Sequence, residues 1–431
     1  MGAVKTKNQG SNSLIQRIWL AMLSIGPGIF CIGYTIGTGS VTSMAKAGSQ
    51  FNMQLLWVLV LSCLFAWVLM EAYGRYAIVT GTTSIYSFKT KLKGGKPIAI
   101  LTVTGIVIAQ WNSLSGILGL SANAIYEITL LFFPSLPSES YWAVLGIAIV
   151  LILVMYALLW VGQYSFFEKV LILFVTLMGI SFIISMFVVL PDPADMARGL
   201  IPTVPEVPGG KLLVAAFVGT TMAAPTFVVR PLLMKGKGWT VANKRNQSKD
   251  ALISAILMLI INLAIMAAAA GALYAEGKTI EKVMDMVYTL EPVAGKFAVA
   301  VFMTGALSAG LSSVFPILMV APLLIADYKE GELDMASTRF KILTAIACMV
   351  GLTVPILGAN PIVAQILTQV AGVFVLPLVI GCIFYLVNRK DLMGEHKAGI
   401  WLNAGMVAAF FFACIISYTG VLAINEFIFP E

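Results

Sequence analysis

Eleven apolar runs divide this 431-residue chain, at roughly 15–46, 51–78, 97–124, 141–162, 165–190, 211–234, 250–274, 294–326, 339–357, 361–387 and 398–425. A bilayer core of about 30 Å takes about 20 apolar residues of helix to cross. Within it each backbone N–H and C=O must find a partner inside the protein, which leaves helices as the spanning form for runs of this kind. Charged residues make up 11% of the chain, against about 25% in soluble domains. The sequence therefore predicts an all-α polytopic membrane protein of 11 transmembrane helices, with residues 1–431 as one membrane transport domain.

Charge gives the expected orientation. Lys5 and Lys7 precede the first run, which is too long for the apolar segment of a signal peptide and is read as retained. Basic clusters at Arg75, Lys89, Lys91, Lys93 and Lys96, and at Lys235, Lys237, Lys244, Arg245 and Lys249, fall on the same side as that N-terminus. Lysine and arginine accumulate in cytoplasmic loops. The expectation is a plasma (inner) membrane protein with a cytoplasmic N-terminus and an extracytoplasmic C-terminus. The net charge of +7 is then a topology signal, with the lipid bilayer as partner and no nucleic acid.

Five cysteines, Cys31, Cys63, Cys348, Cys382 and Cys414, lie inside the runs without paired spacing, so neither disulfides nor zinc is expected. The single histidine, His396, lies in a basic loop before the last run, which excludes a histidine-based metal site or proton relay. No nucleophile, histidine and acid set and no phosphate-binding loop is present, so no enzyme and no cofactor are expected.

Runs 1 to 5 (residues 14–190) and 6 to 10 (211–387) each cross an odd number of times, so the second set enters from the opposite face: a five-plus-five inverted repeat, with 398–425 as an additional helix 11. In transporters built this way the substrate lies near the midplane, where broken helices free backbone groups toward a cavity. The first run carries Gly37-Thr38-Gly39-Ser40, where two glycines flank a threonine; the sixth carries Ala224-Pro225-Thr226, where proline removes a helix hydrogen bond. Breaks are expected at both.

The order of several short motifs resembles the Nramp family of divalent-metal transporters over nearly the whole chain. They are Gly26-Pro27 through Ile32-Gly33-Tyr34, Ala47-Gly48-Ser49, Gln54 to Trp57, Val79-Thr80-Gly81, Ala309 to Ser313, Gln369, and Leu392 to Glu395. The resemblance implies a LeuT-like fold with broken helices 1 and 6, and alternating access. It does not carry over the metal chemistry. Where Nramp proteins have Asp-Pro-Gly-Asn, this chain has Gly37 to Ser40; where they offer methionine and histidine in helix 6, it has Ala224 and Thr226. From Gln110 to Ile125 there is no acid, and Gly116 and Gly119 fall about where the family's proton-coupling acids would be.

What remains for substrate binding is Gly37, Thr38, Gly39, Ser40, Thr220, Thr221, Ala224, Pro225, Thr226 and Gln369, with Asn112 as a further amide. Such neutral oxygens can hold a hydrated ion, because magnesium dehydrates reluctantly. Metal ligands proper are not assignable. Glu71 and Arg230 are charges inside runs and need partners; they are read as gating or charge partners, either as a mutual pair, with Arg230 snorkelling, or with Arg230 facing the inner half of the route, about 7 Å from Pro225. Ala309, Ser312 and Ser313 fall within one helical turn and could form a sodium site. Two readings follow: a carrier of a divalent cation, weakly bound and not proton-coupled, or a carrier of a small organic acid or amino acid with sodium as the candidate coupling ion, which a free Arg230 would favour.

Overall fold

A computed structural model describes residues 27–160, 164–205, 209–281, 283–329 and 337–429. Gly26 and the N-terminal lysines lie outside the described residues. The chain is helical: α1 (Pro27–Thr35), α2 (Thr38–Phe51), α3 (Leu56–Thr80), the short α4 (Ser84–Lys91), α5 (Gly95–Phe132), α6 (Tyr141–Leu159), α7 (Tyr164–Val188) and the short α8 (Pro193–Arg198) form the first half. The second half holds α9 (Gly210–Thr221), α10 (Ala224–Gly236), α11 (Lys244–Leu273), α12 (Val283–Lys329), α13 (Thr338–Gly351), α14 (Thr353–Leu357), α15 (Pro361–Val373), α16 (Leu376–Asn388), α17 (Lys390–Met393) and the final α18 (Ile400–Ile428). Ten helical segments among the described residues are long and apolar enough to span a membrane. The broken pair α1 and α2 ahead of them makes the eleventh crossing.

Burial sorts these helices into centre and periphery. In the most apolar 18-residue stretch of 210–236, 94% of the residues are buried, against 28% in those of 141–159 and 400–428. In the latter two the apolar side chains, such as Trp142, Ile400 and Trp401, face outward. An apolar helix exposed in this way is stable only against lipid, and its aromatic residues suit the interface with water. The broken helices are therefore the core of the protein, shielded from lipid by the unbroken ones.

Close helix approach at the centre depends on small side chains, the usual device where lipid gives no hydrophobic drive for helix association. The run Ala267 to Ala270 of α11 lies against α2, where a Cβ on Gly48 would strike the Met266 carbonyl. A Cβ on Gly219 of α9 would strike the Gln369 carbonyl of α15, and one on Gly271 the Val189 carbonyl. All five cysteines are free, consistent with packing roles.

Both breaks lie slightly upstream of the expected positions. The first is at Ile36 and Gly37, and the helix has already resumed at Thr38. The second is at Met222 and Ala223, so Ala224, Pro225 and Thr226 form the first turn of α10. The reason is the same chemistry read one step too literally. Proline lacks an N–H that the first turn of a helix leaves unpaired anyway, so Pro225 starts a helix here and does not interrupt one.

Candidate functional site

The two breaks meet. Thr35, the last residue of α1, offers its carbonyl to Ser40 Oγ at 2.7 Å and to Thr220 Oγ1 at 2.9 Å, and the two hydroxyls lie 2.8 Å apart. One triangle of oxygens thus joins the end of α1, the first turn of α2 and the last turn of α9. A second clip holds the preceding turn: the Gly33 carbonyl accepts from Ser313 Oγ at 2.8 Å and from Ser312 Oγ at 3.4 Å. Both serines also donate to the Ala309 carbonyl. The last carbonyls of a helix have no partner within it, and here hydroxyls from α9 and α12 serve them. The expected grouping of Ala309, Ser312 and Ser313 is therefore present in space, with Gly33 as a fourth member.

Beside the triangle lies a small cavity lined by Tyr34, Thr35, Gly37 and Gly39 of the first broken helix, Gln110, Ser113 and Ile117 of α5, Thr220 and Ala223 of the second, Ser313 and Ile317 of α12, and Gln365 and Gln369 of α15. Among the described residues no charged one lines it. Its free volume is about 10 Å³, room for roughly one water-sized sphere. Gln365 Nε2 donates to Ser113 Oγ at 3.0 Å, and Gln369 Nε2 reaches the same oxygen at 3.4 Å. Gln365 Oε1 and Tyr34 OH are buried here without a hydrogen-bond partner among the described residues. A buried polar atom left unpaired costs on the order of 1–3 kcal/mol, so two in one cavity mark a place built for a polar guest.

Of the expected substrate residues, Gly37, Gly39, Thr220 and Gln369 line this cavity. Ser40 borders it only through the triangle. Thr221 is turned away, its hydroxyl on the Phe217 carbonyl, and its neighbour Thr220 takes the central position. Thr38 lines a separate small pocket with Ser121. Ala224, Pro225 and Thr226 are buried in α10 beyond the cavity. Asn112 faces outward, its amide on the Ile108 carbonyl, and Ser113 beside it is the residue that enters the site. Gln110, Ser113 and Gln365 were not singled out from sequence, although their spacing at 110, 113 and 116 on one helix, and at 365 and 369 on another, marks single helical faces.

Gly39 owes its identity to close approach. A Cβ there would collide with the side-chain amides of both Gln369 and Gln365. Gly116 is similar, with Gln365 Oε1 occupying the space a side chain would need. Of the two α5 positions where the resemblance would put acids, Gly116 leaves its space to Gln365 of α15, and Gly119 to Pro361 and Val354.

The pairing of Arg230 with Glu71 does not occur, and Arg230 neither snorkels nor faces the cavity. Arg230, 0% exposed, donates to Asp250 Oδ2 at 2.6 Å, and Asp250 Oδ1 accepts the Gly28 N–H at 3.1 Å. Glu71 pairs instead with Arg75 at 2.7 Å, one turn along its own helix. A buried cation is held by the nearest carboxylate that can be buried with it, and Asp250 on the adjacent α11 is closer to Arg230 than the more exposed end of α3.

The sequence family described as "Natural resistance-associated macrophage protein-like" matches residues 28–423, nearly all of the chain. The chain belongs to the Nramp family. Among Nramp relatives, a protein of Vibrio campbellii named "Divalent metal cation transporter MntH" is 24% identical over 411 residues, covering 94% of this chain and 92% of its own length. One of the same name from Klebsiella pneumoniae is 24% identical over 436 residues, with 99% of each covered. A solved structure of the Eremococcus coleocola manganese transporter, in complex with an aromatic bis-isothiourea substituted compound, superimposes with a TM-score of 0.73 at 16% identity, over 99% of this chain and 91% of that one. MhsT in complex with L-phenylalanine gives 0.64 at 15% identity, over 93% and 98%. The fold is accordingly that of the LeuT-like transporters, the Nramp branch included.

Proposed function

We propose that this Nramp-family protein is a secondary transporter that carries a small divalent cation by alternating access, bound with part of its hydration shell. The cavity at the two helix breaks carries the reading. It is lined by carbonyl ends, hydroxyls and amides with no carboxylate and no basic group. Helix C-termini carry a partial negative charge, and α1 and α9 both end there. Such oxygens favour a cation, yet without a fixed negative charge they cannot strip it of all its water, which suits an ion that dehydrates reluctantly. The relatives' names, as divalent metal cation transporters, point the same way.

The organic-acid reading loses its main support, because Arg230 is neutralised by Asp250 and lies away from the cavity. The free volume of about 10 Å³ also suits an ion better than an amino acid in this conformation. Coupling by protons along the family's α5 route is not expected, since Gly116 and Gly119 offer no titratable group. Sodium coupling keeps one favouring observation, the four oxygens of Gly33, Ala309, Ser312 and Ser313.

Purified protein in liposomes loaded with metal-sensitive dyes tests this. Manganese and magnesium should enter in a saturable way without acidifying the lumen, and the double substitution Gln365→Leu, Gln369→Leu should abolish uptake. Absence of any divalent flux, with counterflow of a labelled amino acid or carboxylate instead, would overturn it. Replacing sodium by choline should slow uptake only if the serine cluster binds the coupling ion.

A further inference from the structure

Helix α5 packs along α15 but parts from α16, and a groove of about 360 Å³ opens between α5 and α16. The chain turns at Phe374 and Val375, where α15 ends and α16 starts with Pro377 in its first turn, while α5 continues unbroken past that level. A Cβ on Gly105 would meet Val375 Cγ2 at 2.9 Å, so the two helices touch at the turn. The groove widens from there. Its open end is formed by Leu92 and Lys93, ahead of α5, and by Tyr385, near the end of α16. From Pro377 to Tyr385 it follows α16 for about 12 Å, at 1.5 Å per residue.

The walls are apolar. Ile98, Pro377 and Leu378 line them, and Ile100 and Leu101 of α5 are exposed on the lipid-facing surface nearby. Gly381 leaves its part of the wall open, since a Cβ there would have only Phe410 in reach, at 3.8 Å. An apolar groove in a membrane-spanning protein is stable against hydrocarbon. Its length of about 12 Å is most of the depth of one leaflet, which is about 15 Å of a 30 Å core. One acyl chain fits it lengthwise.

The rim is basic. Lys93 lines the groove, is exposed, and makes no ion pair among the described residues. Lys91 and Lys96 flank it in the chain and are also exposed. The positive end of the α5 dipole lies between Lys93 and Lys96. Asp391, near Lys91, is held by the Arg389 guanidinium, which also donates to the Lys91 carbonyl at 2.7 Å and lies over the Tyr385 ring at 5.9 Å. Among the described residues no acidic one lines the groove. Basic clusters at a membrane surface attract anionic lipids, and basic pockets between transmembrane helices hold their headgroups. A zwitterionic lipid would bring its own cation to the same lysine.

We propose that this groove binds an anionic phospholipid of the leaflet on the lysine-rich side, with its phosphate at Lys93 and one acyl chain running along α16 to the turn at Val375. The site is independent of which cargo the protein carries. The test is native mass spectrometry of the purified full-length protein in detergent, titrated in parallel with phosphatidylglycerol and phosphatidylcholine. The most tightly retained phosphatidylglycerol should bind at least tenfold more tightly than phosphatidylcholine. Lys93→Gln should bring the two lipids to parity, while Lys249→Gln, at a lysine of the same side outside the groove, should leave the preference unchanged. Gly381→Phe fills the groove and should lose this site for both lipids, whereas a site for phosphate alone would survive it. Phosphatidylglycerol should also raise the melting temperature of the parent more than phosphatidylcholine does, because it binds the folded state, and Lys93→Gln should lose that difference. The melting comparison keeps the test decisive where Gly381→Phe folds poorly. No preference in the parent, an equal loss of preference in Lys249→Gln, or undiminished phosphatidylglycerol binding in folded Gly381→Phe would overturn the proposal.

Discussion

At the scale of single residues, what a glycine faces decides what its replacement does. A Cβ on Gly39 would meet the far ends of the Gln369 and Gln365 side chains, which can move, whereas one on Gly271 would meet the rigid Val189 carbonyl. Gly39→Ala should therefore leave the melting temperature within a degree or two and cut uptake at least tenfold, while Gly271→Ala should cost about 1–3 kcal/mol of stability, as overpacking does. Parallel melting and flux measurements on the two variants check both halves. The buried pair gives a second contrast. Asp250→Asn leaves Arg230 charged and unpaired and should destabilise by roughly 3–5 kcal/mol, whereas the double substitution Arg230→Met, Asp250→Leu should recover most of that loss. Recovery absent in the double variant would mean that the Gly28 N–H held by Asp250 matters more than the charge. The sequence exposed Arg230 as a charge needing a partner but could not name Asp250, which lies 20 residues on at the start of the next helix. A pairing between helices depends on how they are rotated, and hydropathy carries no such information. The central glutamines were hidden for a similar reason: Gln365 is one polar residue in an apolar run until α5 is packed against it.

At the scale of elements, eleven crossings and two breaks were legible because length, hydropathy, glycine and proline are local properties. The exact break points were not, since Gly37 to Ser40 and Ala224 to Thr226 are compatible with both an unwound segment and a first helical turn. What resolves them is the set of tertiary hydroxyls on the Thr35 and Gly33 carbonyls. The short α4 shows the same dependence. Its N-terminal N–H groups, those of Ile85 and Tyr86, both donate to the Asp327 carboxylate at 3.0 Å, from the far end of α12, and Lys89 returns a bond to the Tyr328 carbonyl at 2.8 Å. Asp327 is thus a cap supplied by another helix. Removing a capping carboxylate costs about 0.5–2 kcal/mol, and because both N–H groups lose their partner at once, Asp327→Ala should loosen the first turn of α4 while the spans stay folded. Hydrogen exchange should then rise at Ile85 and Tyr86 with little change in α3 or α5. Uniform loss of protection across the protein would show that Asp327 instead supports the whole fold.

At the scale of the whole molecule, the central cavity and a second one of about 370 Å³ lie along one seam between α5 and α15, separated by a short barrier. Above it lies the second cavity, with Asn123 half-exposed on its wall; below it lies Ser113, 3% exposed, beside the two glutamines. Between them Gly119 abuts Pro361 and Val354, and Gly116 abuts Gln365. A barrier only about two helical turns thick, or about 11 Å, is made of contacts between α5 and α15 and of nothing covalent. A carrier must open such a barrier in one state and close it in another, while a channel would leave it open in the conducting state. Cysteine placed at each level distinguishes the two. In a background without native cysteines, Asn123→Cys should react quickly with a charged, membrane-impermeant thiol reagent added from the side opposite the lysine-rich loops, whatever the ionic conditions. Ser113→Cys should react from that side at least a hundredfold more slowly, at a rate that changes when manganese is added, because a cation that binds the two states unequally shifts their populations. Equal rates at the two positions would mean that the seam is continuously open and that transport is not by alternating access. Fast reaction of Asn123→Cys only from the lysine-rich side would reverse the orientation inferred from charge and turn the second cavity toward the cytoplasm.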